Sequence, residues 1–266
     1  MSTIHLAIAG ATGWTGSAIV DGALDDPAIT LKSAIARRAA GQDLGAALGR
    51  DALDIPVFGT VEEALEGVDV LVDFTSHTHA KHAALAAIER GVSPVIGSSG
   101  LSAADFAEID TAARSAGVGA VASGNFSITA AMLLAGAELA ARHIPHWEII
   151  DYAKAAKPDA PSGTARELAE RLAGVRAPQV DLPTDQVAGH PEARGAEIAG
   201  TQVHSVRVPS FVVSTEVVFG AHEERLSIRH DAGGTATPYV TGVLFAVARA
   251  RGHVGLIRGL DRLLLT

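Results

Sequence analysis

The feature that most constrains this chain is a glycine run at fixed spacing, Gly10-Ala11-Thr12-Gly13-Trp14-Thr15-Gly16, set directly after the apolar segment Ile4–Ala9. A helical stretch over about 15–24 follows, so the order reads strand, tight turn, helix. Glycine at these positions permits the turn, lets backbone amides approach a pyrophosphate and lets the helix pack on the sheet. The helix start adds N–H groups and a positive dipole end to an anion site. The spacing alone is a weak signal. Between a first strand and a first helix it points to dinucleotide binding, with an ordinary glycine-rich turn as the plain alternative.

The rest of the first half keeps the same alternation. Strand candidates lie at 31–36, 68–74, 93–96 and 118–121, with helices near 79–90 and 103–115. Strands alternating with helices imply right-handed crossovers and a parallel sheet covered on both faces. The second half changes character. Helices are expected near 127–142 and 163–173, a Pro- and Gly-rich loop over 174–195, and strands at 201–207, 211–219 and 225–230. The short connections between these strands predict antiparallel neighbours, and a last helix is expected near 238–251. The fold class is therefore α/β: a Rossmann-type parallel sheet domain plus an α+β domain with an open mixed sheet. A partner subunit is expected to cover the open sheet, because bare faces and edges are liabilities.

Composition narrows the chemistry. The 266 residues include no cysteine, which excludes disulfides, iron–sulfur clusters, zinc–thiolate sites and thiol nucleophiles. Hydrophobic residues make up 48%, too many for a disordered chain. A net charge of −9 argues against a general phosphate-backbone binder, so no nucleic-acid partner is expected. No apolar run reaches the ~18–20 residues of a membrane span. The start, Met1-Ser2-Thr3-Ile4-His5, has no signal-peptide pattern. A soluble cytoplasmic protein without a membrane partner is expected. The histidines of His77-Thr78-His79-Ala80-Lys81-His82 do not share one helix face, so no metal site is expected.

Two positions refine the nucleotide reading. A site that reads an unmodified ribose places Asp or Glu at the end of the second strand, whereas this chain has Arg37-Arg38. Arginine suits a 2′-phosphate, so NADPH is expected to be preferred over NAD. The loops Asp73-Phe74-Thr75-Ser76 and Gly97-Ser98-Ser99-Gly100 follow strand ends, where the ligand crevice of an open parallel sheet lies. Phe74, Thr75, Gly97, Ser98 and Ser99 are the cofactor candidates there, unless these loops are only polar turns.

The most informative stretch runs from Glu148 to Ala165. A strand from Trp147 enters a turn carrying Lys154 and Lys157, two of only four lysines in the chain. A helix begins near 162–164, where Pro161 suits a helix start and Thr164 with Glu167 has capping-box spacing. Ser162, Gly163 and Thr164 would aim N–H and hydroxyl groups at an anion, and the lysines would add positive charge. This describes a site for a carboxylate-bearing small molecule.

With these motifs in order, the chain resembles the dihydrodipicolinate reductase family of lysine biosynthesis. The resemblance runs through the glycine loop, Asp73-Phe74-Thr75, Gly97-Ser98-Ser99-Gly100, Gly124-Asn125-Phe126-Ser127, the string Lys157-Pro158-Asp159-Ala160-Pro161-Ser162-Gly163-Thr164-Ala165 and His204-Ser205-Val206-Arg207. It implies an NAD(P)H-binding domain over 1–127, rejoined by about 238–266. It also implies a substrate-binding and tetramerisation domain over 128–237. It adds Gly124, Asn125 and Phe126 to the cofactor set Gly10, Thr12, Gly13, Trp14, Thr15 and Gly16. In the family, hydride passes from nicotinamide to a cyclic imine carrying two carboxylates.

The departures from the family pattern bear on the chemistry. The family's H-H-x-x-K stretch supplies a proposed acid, a substrate contact and an assisting lysine. Aligned on Lys157, its histidine positions hold Ala153 and Lys154. The Ser-Arg usual after the later strand end is absent from His230-Asp231-Ala232-Gly233-Gly234-Thr235-Ala236-Thr237-Pro238, and Trp14-Thr15 replaces a basic residue and methionine. Imine reduction needs a protonated nitrogen, so Lys157, or Lys154, is assigned the catalytic ammonium, and both are assigned to substrate binding. His204 and Arg207 face opposite ways on a strand, one serving a substrate cleft and the other the sheet or an interface. His230 reads as a structural histidine. Two other readings stand: a catalytically degenerate dinucleotide-binding sensor or scaffold, and a different NAD(P)-dependent dehydrogenase. The latter cannot use a thiohemiacetal mechanism.

Overall fold

The computed structural model describes residues 3–98 and 100–265. The chain divides into two compact units, Met1–Ile128 with Ala236–Thr266, and Thr129–Thr235.

The first unit is built on a seven-stranded sheet. Its strands are β1 (Ile4–Ala9), β2 (Ile29–Ile35), β3 (Val57–Phe58), β4 (Val70–Asp73), β5 (Ser93–Ile96), β6 (Gly119–Ala122) and, late in the chain, β12 (Gly255–Arg258). The order is β12-β6-β5-β4-β1-β2-β3, and every pairing is parallel. The connections carry α1 (Trp14–Asp25), α2 (Leu44–Ala47), α3 (Val61–Ala64), α4 (His77–Glu89) and α5 (Ala103–Ala116). β4, β5 and β6 are buried at every residue, which is why they read as largely apolar runs without alternation, with Asp73 and Ser93 as their polar ends. The chain builds outward from β1 through β2 to β3, then returns to lay β4 on the other side of β1. That reversal places a crevice at the carboxyl ends of β1 and β4.

The elements without a sequence signal are the short ones. β3 has two residues, α2 and α3 have four each, and β12 has four. The shortest of these hold no measurable periodicity, and β12, GLIR at the sheet edge, lacks the fully buried apolar run that marks the equally short β4, β5 and β6. Past the expected last helix, here α8 (Thr237–Ala250), the chain adds β12 to the sheet edge and ends in α9 (Leu260–Leu264). α8 packs on α1 so closely that a Cβ on Gly22 would overlap the Val240 side chain.

The second unit carries α6 (Ile128–Ala141), β7 (His146–Ala153), α7 (Gly163–Val175), β8 (Ala196–Ile198), β9 (Thr201–Arg207), β10 (Val213–Ala221) and β11 (Glu224–Ala232). Its sheet order is β11-β10-β7-β9-β8. The expectation of three antiparallel neighbours holds for β10 and β11 and fails for β9. β7 occupies the place between β9 and β10, and β9 runs parallel to it. Connection length speaks only for elements adjacent in the chain, and here an earlier strand separates β9 from β10.

β7 alternates strictly, so Trp147, Ile149, Asp151 and Ala153 are buried while Glu148, Ile150 and Tyr152 are half-buried. Leu133, Leu134 and Ala137 of α6 and Leu168 and Leu172 of α7 close over the first set, with Val203, Val217 and Phe219. The opposite sheet face is open. There Tyr152 stacks on Phe211 at 4.9 Å, and the Arg229 guanidinium lies 4.7 Å from the Tyr152 ring centre. Among the described residues no helix is long and apolar enough to cross a membrane.

Candidate active site

The glycine loop lies at the end of β1, at the reversal of strand order. Gly10 has φ +81°, and a Cβ on it would sit 2.5 Å from the Phe74 carbonyl oxygen. A Cβ on Gly16 would overlap the Gly10 carbonyl. Gly13 caps α1 with no side-chain bond, which leaves the first-turn amides of the helix without a side-chain acceptor. The residues present therefore suit a pyrophosphate, because every side chain that would block its approach is missing. Thr12, Gly13 and Trp14 are exposed, Thr15 is half-buried and Gly16 is buried. The Trp14 indole meets Tyr239 edge-on at 6.2 Å.

Two neighbouring loops are tied together by Asp73, which the sequence reading left without a role. Its carboxylate accepts from the Ser98 hydroxyl, from Thr75 Oγ1 at 2.9 Å and from the Thr75 amide at 3.3 Å. Burial pushes the Asp73 carboxyl up, against the lowering effect of the Ser98 and Thr75 bonds. The Phe74 ring occupies the space a Gly97 side chain would need, and packs against Phe126 at 5.9 Å. Phe126 is buried, Gly124 is exposed, and Asn125 Oδ1 accepts from the Ser127 amide at 2.8 Å. Arg37 and Arg38 stand exposed on a short 3₁₀ turn after β2. Among the described residues neither is paired with a carboxylate. Ser99 lies outside the described residues.

The second unit brings a different set together at the carboxyl ends of the parallel pair β7 and β9. Asp151, fully buried on β7, is the centre. Its Oδ2 accepts from Arg207 Nη2 at 2.7 Å, the Ser162 amide at 2.9 Å and the Ser205 hydroxyl at 3.2 Å. Burial raises the Asp151 carboxyl, but the Ser162 and Arg207 bonds outweigh it and hold the carboxyl below the usual range. Arg207 also donates to the Asp159 carbonyl at 2.9 Å and to the Asp151 carbonyl at 3.2 Å.

Ser162 is the N-cap of α7, accepting from the Ala165 amide, so Thr164 falls inside the first turn and its capping-box spacing with Glu167 does not mark the cap. The Ser162 amide is spent on Asp151 and the residue is buried. The anion donors left at this helix start are the Gly163 and Thr164 amides, for which no acceptor is present among the described residues. A Cβ on Gly163 would meet nothing within 4 Å, so this approach is open.

Lys157 and Lys154 separate in character. Lys157 is partly buried and ion-paired with Asp159, whose carboxyl it holds below the usual range. Its amide donates to the Lys154 carbonyl at 3.0 Å, closing the turn. Lys154 is exposed. Ala153 ends β7 fully buried, on the face of the strand that carries Asp151. His204 and Arg207 serve opposite faces: His204 binds Glu148 at 2.7 Å, together with Arg194, while Arg207 binds Asp151. His230 is buried with Thr129 at 3.1 Å, and burial lowers its imidazole. Among the described residues no cluster of three or more His, Asp or Glu side chains is placed to hold a metal.

Comparison with known proteins adds independent findings. The family model "Dihydrodipicolinate reductase, N-terminus" matches residues 4–126, and "Dihydrodipicolinate reductase, C-terminus" matches 128–264. The 4-hydroxy-tetrahydrodipicolinate reductase of Moorella thermoacetica is 38% identical over 273 residues, covering 99% of each chain. The protein of the same name from Thermosynechococcus vestitus is 37% identical, covering 99% of this chain and 98% of its own. Dipicolinate-bound dihydrodipicolinate reductase from Paenisporosarcina sp. TG-14 superposes with a TM-score of 0.87 at 27% identity, over 98% of this chain and 99% of its own. Amine dehydrogenase from Mycobacterium smegmatis, at 20% identity and TM-score 0.66, covers 98% and 96% and shares the fold alone. Matched from end to end by both family models and by these relatives, this chain belongs to the dihydrodipicolinate reductase family, a family of NAD(P)H-dependent oxidoreductases with a small-molecule substrate.

Proposed function

We propose that the chain reduces a cyclic imine of the dihydrodipicolinate class, carrying two carboxylates, with NADPH preferred over NADH. The observation that carries this reading is the start of α7, where the open Gly163 and Thr164 amides follow the loop that bears Lys157. Reduction adds a hydride to the imine carbon and a proton at its nitrogen, and the bound dinucleotide supplies the hydride. The amides at the helix start hold one carboxylate. Lys157, its ammonium oriented by Asp159, stands as the positive group for the imine nitrogen. Lys154 is exposed and adds charge for substrate capture. Full-length similarity to named reductases disfavours the sensor or scaffold reading.

Arg37 and Arg38 support the NADPH preference, because two unpaired guanidinium groups at the end of β2 suit a 2′-phosphate. The test is nicotinamide oxidation with enzymatically generated substrate and a panel of cyclic imines. Turnover is expected with a lower KM for NADPH than for NADH. Replacing both arginines by glutamine should raise the NADPH KM about tenfold and leave the NADH KM within about twofold. Absence of turnover with every carboxylated imine would sink the reading.

The open face of the second sheet supports self-association as a homotetramer. It presents Ile150, Tyr152, Val206 and Val218, none of them fully buried. Light scattering should give the mass of four chains, and Ile150→Glu should reduce it. A wild-type mass of one chain contradicts the assignment.

A further inference from the structure

We propose that Asp151 and Arg207 are positioning residues for the acceptor site. Their ion pair holds the carboxyl end of the 154–162 loop, and with it the partner of Lys157 and the start of α7, in the geometry the dicarboxylate needs. The assignment rests on the reading of this site given above.

The bonding pattern carries the inference. Besides the carbonyl of its own neighbour Val206, one guanidinium reaches three acceptors on the β7 strand and the loop that follows it. It takes the Asp151 carboxylate and the Asp159 carbonyl with Nη2, and the Asp151 carbonyl with Nη1. The carboxylate passes the restraint on to the Ser162 amide, at the far end of the loop. The second half of the loop is therefore tied at Asp159 to β9 through Arg207 and at its last residue, Ser162, to β7 through Asp151, while its first residue, Lys154, is held separately by the Val212 carbonyl at 3.4 Å. Lys157 lies between the tethers, and the residue whose carbonyl Arg207 holds, Asp159, is the one whose carboxylate pairs with Lys157. Freeing that carbonyl releases the group that orients the ammonium.

The pair does not read as a fold-stabilising device. The Asp151 side chain is fully buried and Arg207 is 16% exposed, and burying two charges gains little over apolar packing. Nor does it read as a ligand contact. The Arg207 Nη donors point inward to the chain, and its Nε is buried. What the arrangement supplies is geometry. A planar fork suits this, because its two separated Nη atoms hold the acceptors in fixed directions, whereas an ammonium offers its three donors from a single point. Displacement of a substrate-holding segment by about 1 Å costs as much as 10²-fold in rate.

The experiment uses the full-length enzyme with Arg207→Lys, Asp151→Asn and Arg207→Ala. Arg207→Lys keeps the charge beside Asp151 and loses the fork, so it is the variant expected to stay folded. Its affinity for pyridine-2,6-dicarboxylate and its kcat are each expected to fall about tenfold, with NADPH affinity within about twofold of wild type. Amide exchange should accelerate over 154–165 and nowhere else. Millimolar guanidinium should restore part of the activity of Arg207→Ala. Unchanged dicarboxylate affinity and unchanged exchange in folded Arg207→Lys overturn the assignment. So does an equal loss of dicarboxylate and NADPH affinity. If the wild-type enzyme neither binds the dicarboxylate nor reduces an imine, the reading of the site fails and this assignment fails with it.

Discussion

Alanine in place of Lys157 is expected to lower kcat about a hundredfold at saturating NADPH, a loss of about 2.7 kcal/mol of transition-state stabilisation. The magnitude follows from what the residue does. Negative charge develops at the imine nitrogen as hydride adds to the carbon, and a positioned ammonium is proposed to donate the proton that neutralises it, in a site partly removed from water. The turn closed by the Lys157 amide on the Lys154 carbonyl, with the Asp159 ion pair, fixes where the ammonium sits. Lys154 shares the turn, but its side chain has no ion-pair partner among the described residues and is exposed. Lys154→Ala should therefore cost less than about threefold in kcat, its effect appearing in the substrate KM. Steady-state kinetics of the two variants side by side decide between the lysines. A Lys157→Ala enzyme within twofold of wild type, beside a crippled Lys154→Ala enzyme, reverses the roles assigned here.

The second large effect is expected at Gly16. A Cβ there overlaps the Gly10 carbonyl oxygen and closes to 3.0 Å on the Ala11 Cα. Both are backbone atoms, so no side-chain rotation relieves the contact. The loop or the helix must move, at a cost of about 3 kcal/mol. Gly16→Ala should lose several degrees of melting temperature and most of its NADPH affinity, read by thermal unfolding with and without the nucleotide. Gly174, near the end of α7, is the control, since a Cβ there meets nothing within 4 Å. Gly174→Ala should keep or slightly raise the melting temperature, because alanine costs less entropy in a helix. A Gly16→Ala protein as stable as wild type and with full nucleotide affinity would show that the loop accommodates a side chain.

The two halves of the site were unequally legible. The nucleotide loop declares itself because its requirement is local. Residues a few positions apart must have no Cβ, and three glycines between an apolar run and a helix state this directly. The Lys157–Ala165 stretch is local in the same way, with strand end, turn and helix start following one another. What escaped is what joins distant segments. Asp73 stood at the strand end, in the loop whose candidates were Phe74 and Thr75, and is the acceptor that binds two loops. Arg207 was left between two faces of a strand. Ser162 was expected to offer its amide to a ligand, and that amide belongs to Asp151.

By itself, the sequence determined the class of fold, the glycine turn after the first strand and the strand–turn–helix segment in which the acceptor site is proposed. Each of these follows from backbone freedom or burial along a few consecutive residues. Only the tertiary structure decided that β9 lies beside β7, that β12 closes the first sheet, and that Arg207 meets Asp151 across 56 positions of chain. The physical reason is that strand order is set by which faces can be buried together. A charge buried by that choice must find its partner in whatever strand becomes its neighbour.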